Sequence, residues 1–211
     1  MIPDGANLTG AVVIAHASPR PRRNAFNLSA AASLRDIGLA TLLIDLLTIG
    51  EKTSASAPTS AELLAPRLGA VTQFLRCQSG AGRLAIGYVA TGEASPAALF
   101  AAASLGDAIG AVVLAGARSL RLPLRPEEVT APVLLIVGGT ASELELGCAT
   151  RDRLTCRSDV VMVPGATLTC KGDPRPRRLA IQLAVDWFAD QLGTAGDRAH
   201  TATRGSATAT R

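Results

Sequence analysis

Six short apolar runs punctuate this chain: AVVIA at 11–15, ATLLIDLL at 40–47, RLAIGY at 83–88, AVVLAG at 111–116, PVLLIVGG at 132–139 and DVVMVPG at 159–165. None alternates apolar with polar residues, as a strand with one wet face would. Continuous runs of this length belong to strands buried on both faces, the condition of a parallel sheet covered by helices. Between the runs, helical periodicity predicts helices near 24–37, 60–77, 96–105, 143–156 and 176–192. The expected fold is therefore α/β, a doubly wound parallel six-stranded sheet with helices on both faces. Right-handed crossovers then bring every loop that follows a strand to one edge of the sheet, where sites form in such folds.

Two stretches fall outside the alternation. TIGEKTSASAPTS at 48–60 reads as a polar, mobile loop. From Gly193 the chain reads GTAGDRAHTATRGSATATR, poor in apolar bulk, so the expected organisation is a domain over 1–192 and a disordered tail over 193–211. The opening MIPDGANLTG has no charged region followed by an apolar run, so no secretory leader is expected. The most apolar stretch, LATLLIDLLTIG, is broken by Asp45 and falls short of the ~20 residues that span a bilayer. The expectation is a cytoplasmic protein with no membrane contact.

Composition narrows the partners. At 211 residues the chain supports one domain with a full core, and aromatics at 3% leave that core to Ala, Leu, Val and Ile. The net charge of +4 rests on arginine, 19 against 2 lysines, with no basic helix face interleaved with aromatics; nucleic acid is not an expected partner. Cys77, Cys148, Cys156 and Cys170 form no CxxC and no ligand pairing with either histidine, so no metal is expected and the thiols read as free. The loop after the first run, HASPRPRRNAF, lacks the glycines that let backbone amides approach a phosphate. That counts against a flavodoxin-like nucleotide or phosphate binder, and no cofactor is expected.

Four blocks carry more. GAVVIAHASPRPRRNAFNLSAAASLRDIGLATLLIDLLT at 10–48, RLAIGYVATGEASPAAL at 83–99, APVLLIVGG at 131–139 and VPGAT at 163–167 occur in this order. Together they resemble, from about residue 10 to 192, the dienelactone-hydrolase-like α/β-hydrolases. The resemblance implies an α/β-hydrolase fold, here lacking the N-terminal antiparallel hairpin and so closer to a flavodoxin-like outline. It also implies a nucleophile elbow, G-x-S-x-G, between a strand and a helix. Kept in register, Ala90 and Ala94 take the flanking glycine positions and Gly92 that of the nucleophile. Ala141 takes the position of the acid and Leu168 that of the histidine. His16, Ala17 and Glu93 stand where the oxyanion loop and its partner would be.

What the resemblance implies is thus a carboxylic-ester-hydrolase frame without its triad, acting as a binding module for a small molecule or a protein. The alternative is an active ester or lactone hydrolase using other residues. Ser95 reads as a helix N-cap or a displaced nucleophile, Glu93 as a helix-terminal charge or a base, and His16 as a loop brace. Asp45 ends a strand at the edge where sites form and reads equally as a site residue or as a loop hydrogen-bonding residue. Ser142 and Cys170 sit beside triad positions without a base by spacing. Three arginine clusters, Arg20/Arg22/Arg23, Arg118/Arg121 and Arg175/Arg177/Arg178, follow strands and would converge on one rim. They read as solvated surface charge or, if they converge, as a site for an anionic small molecule or an acidic protein partner.

Overall fold

A computed structural model describes residues 8–18, 23–54, 60–78, 84–117, 120–164 and 173–205, with only the backbone beyond Gly193. Six strands form one sheet: β1 (Gly10–His16), β2 (Leu39–Asp45), β3 (Ala85–Thr91), β4 (Ile109–Ala115), β5 (Val133–Val137) and β6 (Ser158–Met162). Their order is β2-β1-β3-β4-β5-β6, and every pair is parallel. The helices are α1 (Ala25–Asp36), α2 (Ile49–Thr53), α3 (Ala61–Arg76), α4 (Ser95–Leu105), α5 (Ala141–Arg151) and α6 (Pro174–Gly205). The backbone of α6 stays helical to Gly205, where the sequence reading begins the tail at Gly193.

The continuous apolar strands serve two cores at once. Val13, Tyr88, Leu114 and Leu135 point to one face and pack with Leu64 and Leu68 of α3 and Leu99 of α4. Val12, Ile14, Val89, Val113 and Ile136 point to the other and pack with Phe26 and Leu34 of α1 and Phe188 of α6. Each such side chain, withdrawn fully from water, contributes roughly 1.5–3 kcal/mol. The two edge strands, β2 and β6, are only half-buried along most of their length.

Glycines set how closely the helices approach. A Cβ on Gly87 would collide with the Phe188 ring, and one on Gly110 would lie 2.7 Å from the Leu192 side chain. Glycine in the neighbouring strands β3 and β4 is thus a packing requirement that lets α6 lie flat on the sheet. On the opposite face, α4 has almost no bulk: Ala97, Ala98, Leu99, Ala101 and Ala102 are all buried, and a helix apolar all round is an interior helix.

One polar link crosses the α3 face. Thr72 donates its hydroxyl to the Leu68 carbonyl at 3.0 Å and lies 2.5 Å from the Tyr88 hydroxyl. Thr72 has a single hydroxyl proton, so Tyr88 must be the donor of the second bond. Burial pushes the Tyr88 hydroxyl up to about 12 from its ordinary value near 10. The unfolded chain therefore loses this proton first as pH rises. The fold should lose about 2–3 kcal/mol between pH 10 and 12, and the Tyr88→Phe variant should lack that component. Tyr88 is the sole tyrosine, so the near-ultraviolet tyrosinate absorbance reads it directly. A native-state midpoint near 10 would show the hydroxyl to be solvated.

Candidate functional site

The C-terminal edge of the sheet is built around the exit from β3. Thr91 is extended, with φ −121°, and Gly92 then turns to φ +56°. A short 3₁₀ turn over Gly92–Ala94 leads directly into α4, with Pro96 in its first turn, where a missing N–H leaves nothing unsatisfied. Ala90 and Ala94, on either side, are completely buried. A Cβ placed on Gly92 would meet nothing within 4 Å, so backbone conformation, rather than crowding, selects glycine here.

Ser95 is not the N-cap. The 3₁₀ turn displaces that role to Ala94, which cannot cap, and Ser95 becomes the first residue of α4. Its side chain is fully buried and its hydroxyl turns back to the Ala90 carbonyl at 3.4 Å. Glu93 is exposed at the same helix end.

The end of β1 lies against this turn. His16 is 6% exposed and sits level with Asp45 of β2, while the chain leaves β1 through the buried Ala17. The strand order reverses around β1, so the gap between the ends of β1 and β3 is the switch point at which such sheets accept ligands. The His16 carbonyl accepts from the Leu46 N–H at 2.7 Å, bracing the exit of β2.

That exit is ordered where the sequence suggested a mobile loop. Thr48 and Glu51 form a reciprocal capping box that starts α2. Lys52 pairs with Asp45, giving this aspartate its loop partner. Glu51 accepts both guanidinium nitrogens of Arg67 at 2.7 Å, and Arg67 also reaches the Leu46 carbonyl at 2.7 Å. The Arg67 guanidinium, with the Thr48 N–H, holds the Glu51 carboxyl down at about 2. The sequence carried this signal as T-x-x-E at 48–51. Residues 55–59 lie outside those described.

After β5, Thr140 caps α5 by a second box: its hydroxyl accepts from the Glu143 N–H at 3.2 Å, and its N–H donates to the Glu143 carboxylate at 3.3 Å. Ala141, the position the resemblance gives to the acid, is exposed at the first residue of α5. The neighbouring Ser142 hydroxyl lies 3.3 Å from that of Thr140. The carboxylate nearest that position is thus occupied in starting a helix, and the nearest hydroxyl lies against the cap. An open depression of about 280 Å³ here is lined by Thr140, Ser142, Glu143 and Leu146. Leu168 and Cys170 lie outside the described residues.

The same is true of Arg20, Arg22 and Arg118. Arg23 is exposed just before α1. Arg121 stands 3.5 Å from Glu62 and Arg175 2.7 Å from Asp173, so two arginines of the expected rim have local carboxylates; Arg177 is half-buried and Arg178 exposed on α6. Among the described residues, no three His, Cys, Asp or Glu side chains are grouped to hold a metal ion, and no helix is long and apolar enough to cross a membrane.

The positive φ at Gly92 yields a direct test. Gly92→Ser places a side chain in open space but in a strained backbone, and should cost about 1–3 kcal/mol of stability in denaturant melts. A neutral or stabilising change would show that the turn does not hold this conformation.

Comparison with known proteins fits the geometry. No protein-family model matches the chain. Two Mycobacterium tuberculosis proteins, from strains CDC 1551 and H37Rv, are provisionally named phosphoribosyl transferases and are 38% identical over 184 residues, 87% of this chain. The chain spans only 41% of their length. The esterase Est1E from Butyrivibrio proteoclasticus superposes with a TM-score of 0.73 over 91% of this chain and 92% of its own, at 16% identity, a likeness of fold alone. The crystal structure of a dienelactone hydrolase from Anabaena variabilis superposes with a TM-score of 0.77 at 33% identity, over 90% of this chain and 89% of its own. An all-parallel sheet, a glycine-led elbow at its switch point and this extent of identity place the chain in the dienelactone hydrolase family of α/β-hydrolase-fold proteins.

Proposed function

We propose that this protein keeps the hydrolase frame without acyl-transfer chemistry and acts as a binding module. The observation that carries the reading is Gly92: the turn holds the conformation in which hydrolases of this fold display a serine, and presents no side chain. Nearby hydroxyls have other partners. Ser95 is buried against β3, and Ser142 lies against the cap of α5. Ala141 offers no carboxylate to orient a base, and Leu168 offers no imidazole; a serine alone lacks the partners that activate it.

The ligand class follows from the rim. A small molecule with an apolar body and a carboxylate head would suit the crevice between the ends of β1 and β3, with arginines of the loops after β1 and β4 for the head. Arg121 contributes little to such recognition, being 71% exposed and already beside Glu62. Arg20, Arg22, Arg23 and Arg118 are the better candidates, since a planar guanidinium holds a carboxylate bidentately. An acidic protein surface would use the same charges. Phosphoribosyl transfer is not proposed for this chain: the loop after β1 lacks glycines that could cradle a pyrophosphate, and the name belongs to proteins more than twice as long as the matched segment.

Purified protein should hydrolyse p-nitrophenyl acetate no faster than its denatured control. Saturable turnover removed by Ser95→Ala or Glu93→Ala would establish the alternative, an ester or lactone hydrolase with unusual residues.

A further inference from the structure

Helix α3 is apolar on two opposite sides. Ala61, Leu64, Ala65, Leu68 and Thr72 are buried against the sheet and α4. At 100° per residue, the line diametrically opposite runs through Leu63, Pro66, Ala70, Phe74 and Cys77. On a surface helix that line should be charged. Here all five residues are exposed, Leu63 by 56% and Phe74 by 61%. A Cβ built on Gly69, on the flank of this line, would touch nothing within 4 Å, so that flank is open as well among the described residues.

We infer that this seam is the contact through which two copies of the chain pair, α3 against α3 in antiparallel fashion about a two-fold axis near Ala70. Three features select a second copy as the occupant. The seam is self-complementary in bulk: the small Ala70 lies at its middle and lets backbones approach, while Leu63 and Phe74 stand toward opposite ends. It is also self-complementary in charge. Glu62 and Arg76 lie on the same flank of the seam at opposite ends, and antiparallel helices set like flanks against each other. Glu62 of each copy then meets Arg76 of the other, twice over the axis. A parallel arrangement would set unlike flanks together and leave Glu62 away from Arg76. The third feature is continuity: the Arg121–Glu62 contact at 3.5 Å brings the 120–125 loop, whose Leu124 is fully exposed, to the N-terminal end of α3.

Area sets the strength. A helix of this length is about 24 Å long and 10–12 Å wide, a footprint near ~250 Å². A standard interface buries about 800 Å² per partner. The dimer is therefore weak and reversible, populated only as protein concentration rises.

Sedimentation velocity over a concentration series tests this. Wild-type protein should move from monomer to dimer, while Phe74→Glu and Leu63→Glu, both at exposed sites, should remain monomeric with unchanged circular dichroism and Tm. Glu62→Arg should weaken association at least several-fold, and Glu62→Arg combined with Arg76→Glu should restore it. That rescue is specific to the antiparallel register. In a Cys77→Ser background, Ala70→Cys should be joined by a short bis-maleimide. A monomer at every concentration, or a dimer indifferent to Phe74→Glu, would overturn the inference; failure of the charge exchange or of the cross-link would overturn the antiparallel pairing.

Discussion

The reversal at Gly92, where a central strand turns into a helix with almost no bulk, is the constraint on which the rest of the molecule depends. The turn needs a residue that accepts φ +56°. It also needs small neighbours, because Ala90 and Ala94 are enclosed on all sides. Alanines along α4 let that helix lie close to the sheet, and α3 packs over it with Tyr88 and Thr72 as the polar link between layers. The opposite face follows the same rule, with Gly87 and Gly110 making room for α6. Close approach by small residues, rather than interdigitation of aromatics, is how a chain with 3% aromatics fills two cores.

This packing separates frame from chemistry. A strained serine at a strand-to-helix turn is held by its surroundings because function requires it. Glycine in the same place relieves the strain while leaving the surroundings intact, so the proposed loss of acyl transfer costs the fold nothing. The second capping box makes a parallel case: Glu143, next to the position of the acid, joins Thr140 in starting α5, and Ser142 lies against that cap.

The layers of the fold were legible because the four inner strands are buried on both faces and so read as unbroken apolar runs, and the half-buried edge strands β2 and β6 kept enough of that signal. Boundaries slipped where polarity changed before the backbone did. Strand β3 runs on through Val89, Ala90 and Thr91, which in sequence look like the start of the turn. Ser95 read as a cap because a serine before a proline is the common signature of one, and the intervening 3₁₀ turn leaves no trace in composition. Helix α2 was passed over although its T-x-x-E capping box stands at 48–51; Arg67, sixteen positions beyond Glu51, adds a long-range contact that local polarity cannot announce. The elbow glycine was legible only through the family resemblance; by itself Gly92 is one of twenty glycines. The unpartnered seam of α3 was invisible until burial distinguished its two apolar sides.

The central claim is that the elbow presents no nucleophile. Treating the native protein with a fluorophosphonate that labels activated serines, then measuring intact mass and mapping any modified peptide, addresses it directly. The expected result is an unchanged mass under conditions that fully label an active hydrolase of the same fold. A single stoichiometric adduct on one serine, such as Ser95 or Ser142, lost on denaturation before treatment, would contradict it.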